Sequence, residues 1–283
     1  FDELIRLSGL SHGTDVWLGN AQTLIEQGVV TLQEAICCRD DIMIYLIKKG
    51  LPPDKSFKIM EAVRKGKVAK GKALKDNEKW AEYIPLMKEH DVPDWYIKSC
   101  EKIKYMFPKA HAAAYVTNAF RIAWFKVHIP LAYYAAYFSI RAKAFDASCM
   151  IFGKEKVKNK MKEIEMKNQK KEATKAELDM YDDLEIVLEM YERGFEFLPV
   201  DLYESEATKF KVQDNKLRPP LNSIPGFGGV AAQGIVEARK DGKFMSIDDL
   251  KIRAKIGASG ADLLKEFGCL EGMSQSNQLS LFG

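Results

Sequence analysis

The sequence predicts a mainly α-helical protein with one short β-hairpin near residue 214. Apolar residues recur at helical spacing through most of the first two hundred positions, and Gly or Pro separates the helical stretches. The character changes after Gly194, where two short strand-like segments flank Asp214-Asn215, a pair typical of a tight hairpin turn. A length of 283 residues, 47% of them hydrophobic, suggests about two domains with buried cores.

The predicted helices follow one another closely. They cover 15–26, 32–49, 54–65, 77–90, 93–105, 108–128, 130–144 and 154–193. Thr31 and Glu34 have the spacing of a capping box at the start of the second helix, and Pro93 marks a natural break. Apolar periodicity is lost between residues 65 and 75, which predicts a flexible basic loop.

The last ninety residues have a different pattern. Strands over 208–212 and 216–219 are predicted to form the hairpin. A helix over 230–239 follows the Gly-rich run 226–229, and a helix-loop-helix is predicted over 246–266. The final ten residues are polar until their end, so we expect an extended tail.

The net charge of +3 does not by itself indicate a nucleic-acid partner, but the lysines are clustered. The first cluster is Lys65, Lys67, Lys70, Lys72 and Lys75, and the second is Lys154, Lys156, Lys158, Lys160 and Lys162. A solvated face is the simpler interpretation of either one. We prefer it for the second cluster, which alternates with apolar residues at helical spacing.

Cysteine usage and hydropathy limit the class of protein. The five cysteines contain no CxxC pair, which predicts reduced thiols of a cytoplasmic protein and no zinc site. No apolar run reaches membrane-spanning length and nothing resembles a signal peptide, so no membrane partner is predicted. The chain begins at Phe1 without a methionine, as expected of a fragment.

The run FPKAHAAAYV, residues 107–116, is the most informative stretch. Pro108 suits a first helical turn and the alanines favour helix. His111, Tyr115 and Asn118 then lie at i, i+4 and i+7, on one face. Judged by residue types alone, a buried histidine bonded to a backbone carbonyl is the favoured interpretation.

A family resemblance favours a binding surface instead. The segment FPKAHAAAYVTNAFRIAWFKVHIPLAYYAAYFS, residues 107–139, resembles the fingers of the family C bacterial replicative DNA polymerases, with their similar Lys-x-His-Ala-Ala-Ala-Tyr run and following Trp-Phe/Leu-Lys-x-His-x-Pro segment. SGLSHGTDVWLGNAQ (8–22) and RGFEFLPVDLYESEATKF (193–210) are similar to the PolC-type alpha subunit in particular. The resemblance covers essentially the whole chain, as a C-terminal portion of a much longer enzyme.

This resemblance implies a domain order. A multi-helix fingers domain would occupy 1–200, with the end of the palm as an alternative for its first residues. A duplex-binding domain with a tandem helix-hairpin-helix module would occupy 201–273, and a clamp-binding tail 274–283.

The resemblance also implies a site for the incoming nucleotide in the fingers. A basic turn there faces the triphosphate in the family, and the planar fork of arginine suits two phosphate oxygens. The arginine in question is Arg64, and its simpler interpretation is favourable capping of the helix dipole at a helix end. The implied nucleotide-binding residues are Arg64, Lys65, His111, Tyr115 and Phe107, and more weakly Ser11, His12, Gly13 and Thr14.

Two further contacts are expected. Glycines before a helix let backbone N–H groups approach a phosphate, although such a loop alone is usually only a turn. The DNA-binding candidates are Gly226, Gly228, Gly229, Lys240, Lys243, Gly257 and Gly260. The terminal QLSLF resembles the peptide that binds the sliding clamp, through Gln278, Leu279, Leu281 and Phe282, with packing on its own domain as the alternative.

No catalytic residue is expected in this chain. Polymerases use two Mg²⁺ ions held by carboxylates, and in the family these aspartates lie in the palm, upstream of this segment. The acidic pairs here, Asp40-Asp41, Asp182-Asp183 and Asp248-Asp249, are adjacent residues on helical stretches, where side chains diverge, so we interpret them as solvated faces or caps.

The sequence thus predicts part of a DNA-directed DNA polymerase located at the nucleoid. Its expected partners are primer–template DNA, the incoming dNTP, the sliding clamp and other replisome proteins. Two alternatives remain open: a non-catalytic DNA-binding scaffold that recruits partners through the clamp, and the corresponding part of a DnaE-type polymerase.

Overall fold

The computed structural model describes residues 1–69 and 74–276, with the side chains of 74–78 excepted. The described part is mainly α-helical with one two-stranded antiparallel sheet, as predicted. The helices are α1 (Asp2–His12), α2 (Gln22–Glu26), α3 (Arg39–Lys48), α4 (Pro53–Arg64), α5 (Leu74–Glu89), α6 (Asp94–Lys102), α7 (Lys109–His128), α8 (Pro130–Ile140), α9 (Ala147–Met150), α10 (Lys154–Gln169), α11 (Lys175–Glu192), α12 (Gly229–Ala238), α13 (Ile247–Ala254) and α14 (Ala258–Glu266). The strands are β1 (Lys211–Gln213) and β2 (Lys216–Arg218).

The chain divides into two compact units, Phe1–Ile122 and Ala123–Gly283. The division falls inside α7. The predicted limits of the functional regions, at 200/201 and 273/274, stay predictions.

The core of the first unit forms where apolar residues on α3 and α4 recur one turn apart. Ile42 and Leu46 of α3, with Ile59 and Val63 of α4, are each fully buried. Burying such a side chain contributes about 1.5–3 kcal/mol. This packing holds the end of α4 in place, where the predicted basic turn begins.

The first twenty-six residues differ from the prediction. Residues 2–12 form a helix that we did not predict, and its Gly9 packs so closely that a Cβ would lie 2.6 Å from Sγ of Cys38. The helix predicted over 15–26 is interrupted, because Leu18 and Gly19 have non-helical backbone angles. Only 22–26 is regular α-helix within that range.

The helix predicted over 32–49 is wrong before residue 39. Oδ2 of Asp41 accepts hydrogen bonds from the backbone N–H groups of Cys37 (3.0 Å) and Cys38 (2.8 Å), which fixes the start of α3 at Arg39. Glu34 does accept from the N–H of Thr31 at 2.8 Å, but the pair begins a turn. The adjacent cysteines therefore precede the helix and do not lie on it.

Other boundaries are corrected by smaller amounts. The helices predicted over 93–105 and 130–144 end at Lys102 and Ile140. The stretch 154–193 is two helices, because the chain turns at Lys171 (φ 60°) and restarts where Thr174 forms a capping box with Glu177. Of the predicted basic loop, residues 65–69 are described, Lys70 and Lys72 lie outside the described residues, and residues 74–75 belong to α5.

The predicted hairpin and the helices that follow it are confirmed in the second unit, although the first strand covers Lys211–Gln213 and not 208–212. Asp214 (φ 51°) and Asn215 (φ 57°) both adopt the left-handed conformation of a type I′ turn between β1 and β2. The helices α12, α13 and α14 bury Ile235, Leu250 and Leu264 completely. A Cβ at Gly234 would collide with the Ala254 carbonyl, so α12 and α13 pack at close range.

The second lysine cluster is a solvated face, as preferred. Lys154 and Lys158 both form ion pairs with Glu192, at 3.2 and 3.3 Å. Lys160 pairs with Glu163 at 2.9 Å. Lys154 and Lys158 therefore join α10 to the neighbouring helix α11, whereas the Lys160 pair lies within α10.

All five cysteines are free thiols. Burial raises the pKa of Cys37 to about 11 and that of Cys269 to about 12, so neither is a reactive thiolate. Searching the described residues finds no helix with the length and apolarity needed to cross a bilayer.

Candidate functional site

An open cavity of about 250 Å³ in the first unit gathers four of the predicted nucleotide-binding residues. Its lining residues are Ser8, His12, Phe107, His111, Ala112 and Tyr115. The cavity therefore lies between the end of α1 and the first turns of α7. Its surface is mostly aromatic, which suits a flat ligand.

The aromatic rings form a continuous series along this cavity. The ring of Phe107 stacks on His111 with centroids 5.1 Å apart, and His111 lies 4.6 Å from Tyr115. Tyr105 meets Phe107 edge-on at 5.2 Å. His111 and Tyr115 are exposed, so the alternative of a buried histidine is wrong. Asn118, predicted on the same face, does not line the cavity.

The start of α7 is fixed by α3. Oδ2 of Asp40 accepts a hydrogen bond of 2.6 Å from the N–H of Lys109, which is one of the orphan donors at the start of α7. The N–H of Arg39 donates to the carbonyl of Phe107 at 3.1 Å. Sequence reasoning missed both roles. Asp40 sets where α7 begins, and thereby where the rings of Phe107 and His111 point.

The predicted basic turn at the end of α4 is an ion-pair cluster around one carboxylate. Arg64 donates to both oxygens of Glu61, at 2.7 and 3.0 Å, and Nζ of Lys65 lies 2.9 Å from it. Hydrogen bonds from Arg64, with a smaller effect of Lys65, lower the pKa of Glu61 from 4.5 to about 2. Arg39 approaches the same carboxylate at 4.0 Å. The cluster thus concentrates three positive charges around one carboxylate.

The backbone joins this cluster to the segment that enters α7. The carbonyl of Arg64 accepts a hydrogen bond of 3.3 Å from the N–H of Met106, next to Phe107. Gly66 has a φ of +63°, and a Cβ there would collide with the Lys104 carbonyl. Only glycine lets the basic turn lie directly against this segment.

The weaker predicted donors have mixed outcomes. His12 lines the cavity, with its ring 6.1 Å from that of Phe107. Ser11 donates to the Ser8 carbonyl at 3.2 Å. The N–H groups of Gly13 and Thr14 donate to carbonyls of this chain, at 3.2 and 2.9 Å, so these amides are not free to bind a ligand.

In the second unit, the two predicted glycine loops lie next to each other. Gly228 is the N-cap of α12 and Gly257 is the N-cap of α14. The ring of Phe227 would lie 3.4 Å from a Cβ at Gly260, and a Cβ at Gly226 would lie 3.5 Å from Leu263 on the same helix. The starts of α12 and α14, with their free N–H groups, therefore lie close together on either side of the buried ring of Phe227.

The predicted lysines do not join these loops. Lys240 and Lys243 follow the C-terminal end of α12, whose ten residues span about 15 Å. Lys240 pairs with Glu237 at 2.6 Å, and Lys243 lies over the Tyr203 ring at 5.9 Å.

Lysines that we did not single out lie nearer the loops. Thr208, the neighbour of exposed Lys209, would contact a Cβ at Gly229 at 3.6 Å. Lys255 adopts the left-handed conformation (φ 54°), two residues before Gly257. The signal for Lys255 was available, since it lies in the loop that we predicted around Gly257.

The acidic pairs include helix caps, as interpreted, but Asp183 is a buried loop anchor, which was not predicted. Asp41 bonds the backbone ahead of α3, and Asp183 accepts from the N–H groups of Lys143 (2.9 Å) and Ala144 (2.8 Å). Asp249 accepts from Met245 at 2.9 Å. These carboxylates are already occupied and do not fit a two-metal centre. Across the described residues, no group of three or more His, Cys, Asp or Glu side chains could hold a metal ion.

The predicted clamp-binding residues, Gln278, Leu279, Leu281 and Phe282, lie outside the described residues. The tail that precedes them is anchored on α13. The carbonyls of Ser274 and Gln275 accept hydrogen bonds from Ile247 (2.9 Å) and Asp248 (3.1 Å).

Comparison with known proteins gives a family match in each of the two regions that contain the candidate sites. Residues 1–89 match the bacterial DNA polymerase III alpha subunit finger domain, and residues 194–279 match a helix-hairpin-helix motif. The whole chain is 53% identical over 282 residues to a PolC-type DNA polymerase III of Caldanaerobacter subterraneus subsp. tengcongensis. It is 54% identical to that of Oceanobacillus iheyensis and 52% identical to that of Clostridium perfringens. Over its whole length, the chain is homologous to part of the PolC-type DNA polymerase III.

The chain spans only 19% of the length of these PolC-type relatives, while each alignment covers all of it. It is therefore a segment that carries the fingers and helix-hairpin-helix regions of a PolC-type polymerase. The finger match includes His12 and Arg64 but ends before Phe107, and the motif match includes both glycine loops.

Proposed function

We propose that this segment binds the incoming dNTP and holds the primer–template duplex during DNA synthesis by a PolC-type polymerase. The observation that carries the proposal is the cavity where His12, Phe107, His111 and Tyr115 meet. A planar base pair is the kind of ligand that such rings accept by stacking. In this proposal the first turns of α7 close over the nascent base pair.

Arg64 neutralises the triphosphate of that nucleotide. Its guanidinium already binds a carboxylate in the two-pronged geometry that it would use for phosphate, at 2.7 and 3.0 Å from Glu61. Exchange of Glu61 for the triphosphate keeps the arginine paired in both states. Lys65 and Arg39, which approach the same carboxylate, add positive charge.

The second unit holds the duplex by its backbone. Two helix starts, at Gly228 and Gly257, each offer N–H groups and a favourable dipole to a phosphate. Such contacts carry no base information, so the proposed binding is independent of sequence and weakens steeply with salt. Lys209 and Lys255 are better placed beside the loops than Lys240 and Lys243.

The remaining parts of the proposal concern partners. The terminal QLSLF would tether the polymerase to the sliding clamp, beside other replisome proteins at the nucleoid in the cytoplasm. The two Mg²⁺ ions of the reaction would be held in the palm, because the paired aspartates Asp40, Asp41, Asp183 and Asp249 already accept hydrogen bonds from backbone N–H groups of this chain. This segment would position substrates and would not carry out the chemical step.

The alternatives are distinguished by specific observations. A non-catalytic scaffold would need the helix-hairpin-helix and the tail, but no aromatic cavity beside a basic cluster. The relatives named above are all of the PolC type, which disfavours a DnaE-type polymerase.

The deciding experiment is single-nucleotide primer extension by the complete polymerase that contains this segment. Arg64→Ala and His111→Ala should raise the nucleotide KM or lower kcat while primer–template affinity is preserved. Unchanged kinetics in both variants would remove the nucleotide site and leave the scaffold as the better function.

A further inference from the structure

A second concave surface of the first unit lies between α4 and α5, and we call it the lysine groove. Its volume is about 380 Å³, and it shares no lining residue with the aromatic cavity. The groove is lined by Phe57, Lys58, Glu61, Ala62, Lys65, Lys67, Lys79, Trp80 and Tyr83. It contains Lys65 and Lys67 of the first lysine cluster, and the proposed function assigns a role to Lys65 alone.

The charge of the lysine groove selects an anionic ligand. Four lysines and one carboxylate line it, and that carboxylate, Glu61, is already bonded to Arg64 and Lys65. Lys58 makes an exposed ion pair with Asp54 at 3.6 Å, which costs little to break. Positive charge on both helices therefore faces whatever enters the groove.

The aromatic residues of the groove indicate which kind of anion it would bind. Phe57 is 52% exposed beside Lys58, although a phenylalanine gains nothing from water. Trp80 is 5% exposed and forms the floor, where its Nε1–H donates to Glu101 at 3.1 Å. An exposed ring between lysines suits an unpaired base next to its phosphates. Bases inside a duplex are stacked on each other and cannot reach such a ring.

We propose that the lysine groove binds single-stranded DNA, as the unpaired template strand ahead of the primer end. Lys58, Lys67 and Lys79 contact its phosphates, and Phe57 stacks on one base. The proposal rests on the proposed function, because a polymerase presents an unpaired template to its fingers. An acidic protein would also satisfy the charge, but it would leave the exposed ring without a role.

The test uses the full-length polymerase and two primer–templates, one with a long single-stranded template overhang and one with a one-nucleotide overhang. One variant combines Lys58→Gln, Lys67→Gln and Lys79→Gln, and another is Phe57→Ala. Lys65 is left intact because the proposed nucleotide site includes it. The control is Lys88→Gln, an exposed lysine of α5 outside the groove, paired with Asp94 at 3.3 Å.

The triple variant should bind the long overhang more weakly than the wild type. Its affinity should also depend less on salt, so that the negative slope of log affinity against log salt becomes less steep by about 2. Phe57→Ala should weaken the same complex about tenfold. Both variants should bind the one-nucleotide overhang as the wild type does, with the same nucleotide KM, and Lys88→Gln should change neither affinity.

Equal losses on both primer–templates would overturn the proposal, because the groove would then bind duplex DNA or act on the fold. Unchanged affinities in every variant would also overturn it and would leave an acidic protein as the occupant. Failure of the proposed function would appear separately, as a nucleotide KM that does not respond to Arg64→Ala or His111→Ala.

Discussion

The imidazole ring of His111 lies nearly parallel to the ring of Phe107, with centroids 5.1 Å apart and an interplanar angle of 13°. Phe107 precedes α7 and His111 occupies its first turn, so the two rings extend a flat surface across the helix start. Tyr115, which is 62% exposed, continues this surface by one more turn. Such a surface can stack on a planar ligand and thereby detect whether its shape fits.

Removing the first ring should therefore weaken nucleotide binding. Phe107→Ala is expected to raise the nucleotide KM of the complete polymerase about tenfold, since an aromatic contact contributes about 0.5–1.5 kcal/mol beyond its buried area. Phe120→Ala is the control, because that ring is 48% exposed on the same helix and pairs with Phe1 outside the cavity. Equal effects of the two variants would argue against the cavity as the nucleotide site.

The positions of the residues that line this cavity were predictable from sequence where the geometry is local. The spacing of His111 and Tyr115 places them on one face of any helix, and the Pro108 start follows from the chemistry of proline. The contribution of Ser8 and the support from Asp40 depend on how α1 and α3 pack against α7. No spacing along the chain carries that information.

The ion pair at the end of α4 gives a pH dependence with a definite sign. Hydrogen bonds from Arg64 lower the pKa of Glu61 from 4.5 to about 2 in the folded protein. The folded state therefore gains stability from this carboxylate above pH 4.5, and it loses that stability as the pH falls toward 2.

Glu61→Gln should therefore be less stable than the wild type at neutral pH. The difference in free energy of unfolding should shrink as the pH falls below 4.5, where the wild-type carboxylate becomes protonated. Urea unfolding at a series of pH values measures it, with Glu82→Gln on the exposed surface of α5 as the control. A difference that is constant with pH would show that the charge of Glu61 does not stabilise the fold.

The glycines of the second unit separate binding from folding. Gly228 and Gly257 have φ values of −73° and −76°, and a Cβ at either would meet no atom within 4 Å. Alanine there should leave the thermal midpoint unchanged and lower duplex affinity, because a methyl group would obstruct the close approach of a phosphate.

Gly234→Ala should lower the thermal midpoint, because its Cβ would collide with the Ala254 carbonyl. The duplex affinity of the folded variant should be unchanged, because Gly234 does not lie in either loop. The measurement is thermal unfolding together with duplex binding by each variant. Full duplex affinity in both Gly228→Ala and Gly257→Ala would contradict backbone binding at these loops.

The fold was predictable where boundaries are marked in the local sequence. The hairpin turn at Asp214-Asn215 and the start of α14 after Gly257 both follow from residue conformational preferences. The stretch 32–38 was predicted as helix because its spacing allows one. In the structure Asp41 reaches back to the amides of Cys37 and Cys38, and packing against Gly9 favours that arrangement. Tertiary contacts decide such cases.

Asp183 should be the structurally essential member of its acidic pair. It is 2% exposed and accepts hydrogen bonds from the N–H groups of Lys143 and Ala144, whereas Asp182 is exposed. Asp183→Ala would leave two backbone donors without an acceptor, so we expect it to cost about 2–4 kcal/mol of stability. Asp182→Ala should be close to neutral in the same urea titration. Similar stabilities of the two variants would instead indicate that water replaces the carboxylate.

Truncation after Asn277 tests the tail. The described tail is anchored by hydrogen bonds from Ile247 and Asp248 to Ser274 and Gln275, and the truncation leaves these residues in place. Removing QLSLF should therefore abolish clamp-stimulated processivity and leave basal primer extension nearly intact, because only the docking peptide is lost. Replacing Leu281 and Phe282 by alanine in the full-length chain should reproduce the loss. Processivity that survives both changes would place the clamp contact elsewhere in the polymerase.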